Sequence, residues 1–193
     1  EFEKANEMKK TLFALGHIKD VSLLKKDFLN DTINGTDSIG ALPRAAFRIE
    51  AYDAAHLGGK DVVGVMTVVE DGTVNKSEYR QFKIRGGNGN DLASLEQMLS
   101  RRLAHREWRL PSLIVVDGFD LQINTARKVL DDFGLQIPLV SVVKDDRHKP
   151  REILGDREMG ERYHDAILLA NSEAHRFAIT FHRKRRDKGF IKR

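Results

Sequence analysis

Asp53, Asp117 and His175 are the residues of this 193-residue chain whose types and positions could carry chemistry. Asp53 lies just past the apolar part of a strand-like run, and Asp117 directly ends the run LIVVDG. Open α/β sheets bind ligands at the carboxyl ends of parallel strands, so two acids ending neighbouring strands would converge on one point. Two carboxylates held together in a partly dry site repel unless a cation lies between them. Hard divalent cations such as Mg²⁺ and Mn²⁺ take oxygen ligands of this kind. A strand-end Asp standing alone is more often a cap or turn former; the pairing is what gives these two weight. His175 adds an imidazole able to ligate a metal or move a proton near neutral pH. A lone helical histidine is usually structural, but this one stands beside Arg176 and ahead of a basic cluster. His164, His175 and His182 share roughly one helical face, yet they span some five turns, too far for the tightly held ligands of catalytic zinc.

The elements that must position these residues are legible as patterns. AAFRIEAYDAAH, from Ala45, alternates Phe47, Ile49 and Ala51 against Arg48, Glu50 and Tyr52. VVGVMTVV at 62–69 is β-branched and ends in Glu70-Asp71-Gly72, a hairpin turn of the Asp-Gly type. KSEYRQFKI is the predicted return strand. A Gly/Asn loop follows; it lacks the Lys-Ser/Thr of a P-loop and reads as a connector. A helix is expected from about Asp91 to His105 on the stripe Leu92, Leu95, Met98, Leu99 and Leu103. SLIVVDG has the continuous apolar character of a central parallel strand. Residues 120–133 read as helix, PLVSVVKDD as a second buried strand, and 145–160 as charged loop. A closing helix is expected over roughly 161–185, burying Ile167, Leu168, Ala174, Ala178 and Phe181. The sum is an α/β fold with a mixed five-stranded sheet flanked by helices.

Ahead of it, Phe2, Ala5, Met8, Leu12 and Leu15 recur at helical spacing, and residues 30–43 are rich in turn formers. The expected division is a helix and linker over 1–43 and a compact domain over 44–193. Because the chain opens on Glu1 and not Met, it is expected to be a segment of a longer protein. With no cysteine it can form neither disulfides nor thiolate metal sites, and a reducing cytoplasm is its expected location. No apolar run approaches the roughly 18–20 residues that would cross a bilayer, so no membrane role is expected. The net charge of +4 is uneven, for the segment from His175 to Arg193 carries eight Lys/Arg and one acid. The remainder, with 25 basic and 28 acidic residues, has a net charge of −3. Such a patch suits a phosphate-contacting surface, or else a solvated tail.

RIEAYDAAH, NKSEYRQFKI, LIVVDG, HKPREILG and above all EAHRFAITFHRKRR resemble the C-terminal nuclease half of UvrC, in that family's order and spacing from Arg48 to Arg186. The resemblance implies an RNase H-like fold and a metal-dependent endonuclease of the UvrABC excision-repair system, cutting a phosphodiester on the 5′ side of a DNA lesion. It implies that Asp53, Asp117 and His175 are the catalytic set and hold Mg²⁺ or Mn²⁺. Damaged double-stranded DNA and UvrB are the implied partners, and the N-terminal helix is similar to the end of the segment that meets UvrB. Arg80, Arg176, Arg183, Lys184, Arg185 and Arg186 are candidates to hold the phosphate backbone, with Gln122 at the site's rim. Where the family commonly reads DGGKGQ this chain reads DGFDLQ, placing Phe119 for a glycine and Asp120 for a lysine. Ser172 stands where an acid is usual. These departures leave open an alternative: an RNase H-like module that binds DNA or UvrB with weakened catalysis.

Overall fold

A computed structural model describes residues 45–57, 61–84, 90–145 and 150–190, with residues 55–57, 61 and 181–190 by backbone alone. The elements in chain order are β1 (Arg48–Leu57), β2 (Asp61–Glu70), β3 (Thr73–Val74) and, after a 3-10 turn at Lys76–Glu78, β4 (Arg80–Ile84). Then come α1 (Asp91–Ala104), β5 (Leu113–Asp117), α2 (Asp120–Asp132), β6 (Leu139–Lys144), β7 (Pro150–Gly155), α3 (Arg157–Arg162) and α4 (His164–Phe190). Among the described residues they form one seven-stranded sheet in the order β3-β2-β1-β5-β6-β7, with β4 also pairing β2. β1 runs antiparallel to β2 and parallel to β5, and β5 is parallel to β6.

Both faces of the central strands are covered, which explains their near-continuous apolar runs. Toward α1 and α2, Tyr52, Met66, Ile114, Val116 and Leu139 pack with Met98, Leu99, Ala126 and Leu130. Toward α4, Ile49, Ala51, Leu113, Val115, Val140 and Val142 pack with Ala166, Ile167, Ala170 and Ala174. Gly64 lets α1 approach β2, since a Cβ there would lie 2.0 Å from the Met98 sulfur.

The polar positions of β1 are not solvated, as alternation alone would suggest. Glu50 is fully buried and accepts from Arg102 Nη2 at 2.9 Å, Arg48 Nε at 2.9 Å and the Tyr52 hydroxyl at 2.7 Å. The Arg102 guanidinium lies over Trp108. Several charge-assisted bonds thus compensate the burial of one carboxylate and tie β1 to α1.

The hairpin forms as expected, with Asp71 and Gly72 both at positive φ (45° and 71°), the geometry its two-residue turn requires. The predicted return strand over 76–84 is shorter: the chain makes only β3, then the 3-10 turn, before β4 pairs with β2. The sheet also has two strands more than the expected five. The stretch expected as charged loop holds β7 and α3, and β7 is an edge strand with no fully buried residue. α4 begins at His164 and extends to Phe190. Of its expected buried face, Ile167, Ala174 and Ala178 are buried and Leu168 partly so, while the Phe181 side chain is outside the described residues, as are residues 1–44 and the Gly86–Gly89 loop.

Candidate active site

The parallel ladder between β1 and β5 ends at Tyr52 opposite Val116, so Asp53 and Asp117 are the next residues on two adjoining strands. Side chains alternate along a strand. Asp53 therefore follows Ile49 and Ala51, and Asp117 follows Leu113 and Val115, on the face that α4 covers. Chain polarity and pleat together bring the two acids onto one face, just past the end of the β1–β5 ladder. Both line a cavity of about 90 Å³ together with Tyr52, Asp91, Met98, Val116 and Gln122.

α4 crosses this end of the sheet and supplies His175, whose Nδ1 lies 3.2 Å from Asp53 Oδ2. The Asp53 side chain is 15% exposed and that of His175 55%. Burial pushes the Asp53 carboxyl above its usual range and the charge of Asp117 pushes the same way, while the His175 contact and the Lys144 charge pull it back. Lys144, the last residue of β6, places its Nζ 2.7 Å from Asp117 Oδ2. Sequence reasoning missed Lys144 and Asp91. The signal for Lys144 was its place at the end of PLVSVVK, matching that of Asp117 in LIVVDG; Asp91 carried none beyond that of an acid in a helix's first turn.

Among the described residues no group of three His, Cys, Asp or Glu is placed to share one ion. Asp53, Asp117 and His175 form a carboxylate pair with a hydrogen-bonded imidazole, not a closed three-ligand cage. The donor set still fits a hard divalent cation, because two mutually repelling carboxylates line one small cavity. A larger cleft of about 610 Å³ lies between β7 and α3, and neither acid lines it.

The turn leaving the site depends on Gly118. Its φ is +129°, and a Cβ there would lie 2.5 Å from the Gln122 carboxamide carbon. Gln122 Oε1 accepts from the Phe119 amide at 2.9 Å, capping α2. Gln122 thus lines the cavity and also holds the helix start. Phe119 and Leu121 beside it are exposed.

The remaining candidates are spread. Arg80 donates to the Ser77 and Tyr79 carbonyls, pairs with Glu78 and lies over Trp108, so its guanidinium is already engaged. Arg176 is held by Glu173 through two nitrogens, at 2.7 and 2.5 Å. Glu173 also accepts from the Tyr79 hydroxyl, which fixes this part of α4 over β4's start. Arg183, Lys184, Arg185 and Arg186 lie on the described backbone of α4, with side chains outside the described residues.

A hairpin of antiparallel strands joined to parallel strands, helices on both faces and acids just past the end of the β1–β5 ladder define an RNase H-like α/β domain. Residues 37–179 match the family described as the UvrC RNAse H endonuclease domain, and the chain belongs to that family. A UvrABC system protein C of Clostridium perfringens is 36% identical over 198 residues, covering 90% of this chain and 32% of that protein. Its counterpart in Caldicellulosiruptor saccharolyticus is 40% identical over 149 residues, covering 73% of this chain and 25% of that protein. The chain thus spans about a third or less of the curated relatives it matches. Among solved structures, Ciona intestinalis endonuclease V in complex with a 24mer DNA is 14% identical with a TM-score of 0.38, covering 70% of this chain and 59% of that one, a remote likeness. Among the described residues no helix is long and apolar enough to cross a membrane.

Proposed function

We propose that this chain is the metal-dependent cutting domain of a UvrABC-type excision nuclease, hydrolysing a phosphodiester of damaged double-stranded DNA on the 5′ side of the lesion. UvrB is the proposed partner of the longer protein, and the cytoplasm its proposed location. The observation that carries the reading is the pair of carboxylates just past the end of the β1–β5 ladder, both lining one small cavity, in a chain of this family.

Asp53 and Asp117 would hold Mg²⁺ or Mn²⁺. Such an ion supplies water of lowered pKa and positive charge at the scissile phosphate. The chain's own residues do the rest. Asp53 and Asp117, fixed by the sheet, set where a phosphate can approach. Asp53 orients the His175 ring through Nδ1, which leaves Nε2 as the atom to take or deliver a proton. With Arg80 and Arg176 engaged within the fold, the grip on the DNA backbone is assigned mainly to Arg183, Lys184, Arg185 and Arg186. Phosphate contacts of this kind position a duplex without reading its sequence, as suits an enzyme that must cut at any lesion.

The test is nicking of lesion-bearing duplex DNA with Mn²⁺, comparing the parent with Asp53→Ala and Asp117→Ala and checking each fold by circular dichroism. Cutting should vanish in both variants and in EDTA. Undiminished cutting by either variant or in EDTA would refute the mechanism. Metal-independent DNA binding with no nicking by the parent would favour the binding-module alternative.

A further inference from the structure

We propose that Lys144 is a built-in cation of the acid pair: its ammonium takes the place of a second metal ion beside Asp53 and Asp117 and holds down the site's affinity for divalent cations. This inference rests on the nuclease reading above.

β1, β5 and β6 lie side by side and parallel. Asp53 follows Ile49 and Ala51, Asp117 follows Leu113 and Val115, and Lys144 follows Val140 and Val142, all on the α4 face. Asp53 and Asp117, each just past the β1–β5 ladder, and Lys144, the last residue of β6, thus lie on one side of one sheet. The ladder between β6 and β7 skips Arg151 of β7 at Val143/Lys144, so β6 itself keeps its alternation through Lys144. Lys144 Nζ then lies 2.7 Å from Asp117 Oδ2, with its side chain 18% exposed. A lysine normally buries its stem and leaves its head in water; this one is turned onto a partly buried carboxylate. A fixed unit charge this close competes for Asp117's oxygens and repels an incoming divalent ion. It also relieves the repulsion between the two acids when no metal is bound.

The test is Mn²⁺ binding to the full chain, measured by electron paramagnetic resonance titration for the parent, Lys144→Gln, Lys144→Arg and Asp117→Asn, together with melting in EDTA. Lys144→Gln should bind Mn²⁺ at least about tenfold more tightly than the parent, as removal of a nearby like charge demands. It should also melt lower in EDTA and gain more from added Mn²⁺. Lys144→Arg, which keeps the charge, should bind within about twofold of the parent. Binding by Lys144→Gln no tighter than the parent, or Lys144→Arg as tight as Lys144→Gln, would overturn the role of Lys144 while leaving the nuclease reading intact. Parent binding that Asp117→Asn leaves unchanged would overturn the nuclease reading, and this inference with it.

Discussion

Burial and the neighbouring Asp117 charge push the Asp53 carboxyl upward, and the His175 contact and the Lys144 charge reverse only part of that shift. The consequence for stability has a definite sign. A group whose folded pKa is raised contributes stability below its unfolded pKa, and that contribution is lost as pH rises through the folded value. In the metal-free domain, Asp53 should therefore cost stability above the ordinary carboxyl range, near pH 4 and higher. Asp53→Asn should be more stable than the parent at neutral pH in EDTA, on the order of 1 kcal/mol as for other relieved functional sites. The advantage should shrink as pH falls toward 4. Urea midpoints across pH 4–8 would measure it, and a variant equally or less stable throughout would contradict the argument. Asp117 was legible because it ends an apolar run, and Asp53 because it lies just past the apolar part of a strand, where a charge is conspicuous. Lys144 ends such a run too, but a lysine there reads as a solvated terminus until the order of strands places Asp117 beside it.

Elements were legible to the degree that one face differs from the other. β2, β5, β6, α1 and α2 carry apolar runs or stripes and fall where those patterns put them. β7 is an exposed edge strand flanked by charge, so neither alternation nor an apolar run marks it. The Arg48 and Glu50 positions of β1 look like a solvated face, and their burial became visible only with Arg102 brought from α1. Removing one member of a buried charged cluster leaves its partner short of compensation. Arg102→Ala should therefore destabilise the domain by about 3–5 kcal/mol in urea unfolding. A loss under about 1 kcal/mol, typical of a surface ion pair, would show that Arg48 and Tyr52 satisfy Glu50 without it. Gly118→Ala tests a different element, the start of α2. Positive φ and the Gln122 carboxamide both resist a Cβ there, so the change should cost about 1–3 kcal/mol. Calorimetric melting would measure that cost, and a variant melting with the parent would mean that the turn relaxes freely.

Across the whole molecule, the basic segment and the proposed site meet along α4. One end of the helix packs on the sheet through Ala166, Ile167 and Ala170, His175 reaches Asp53, and the backbone then runs on through Arg183–Arg186. Those four residues lie roughly 12–16 Å further along, at about 1.5 Å per residue, a span of several nucleotides. If they track a duplex, replacing all four by Ala should lower affinity for every DNA sequence and reduce the salt slope by roughly one unit per lost contact. An unchanged slope in binding titrations at several salt concentrations would mark the cluster as a solvated tail. The basic end was plain in the sequence, but its alignment with the acid pair depends on the packing of α4. The most direct test of the central claim is anomalous diffraction from crystals of the domain soaked in Mn²⁺. A manganese peak is expected within bonding distance of carboxylate oxygens of both Asp53 and Asp117; a peak coordinated elsewhere with that pair left empty would contradict the proposed metal site.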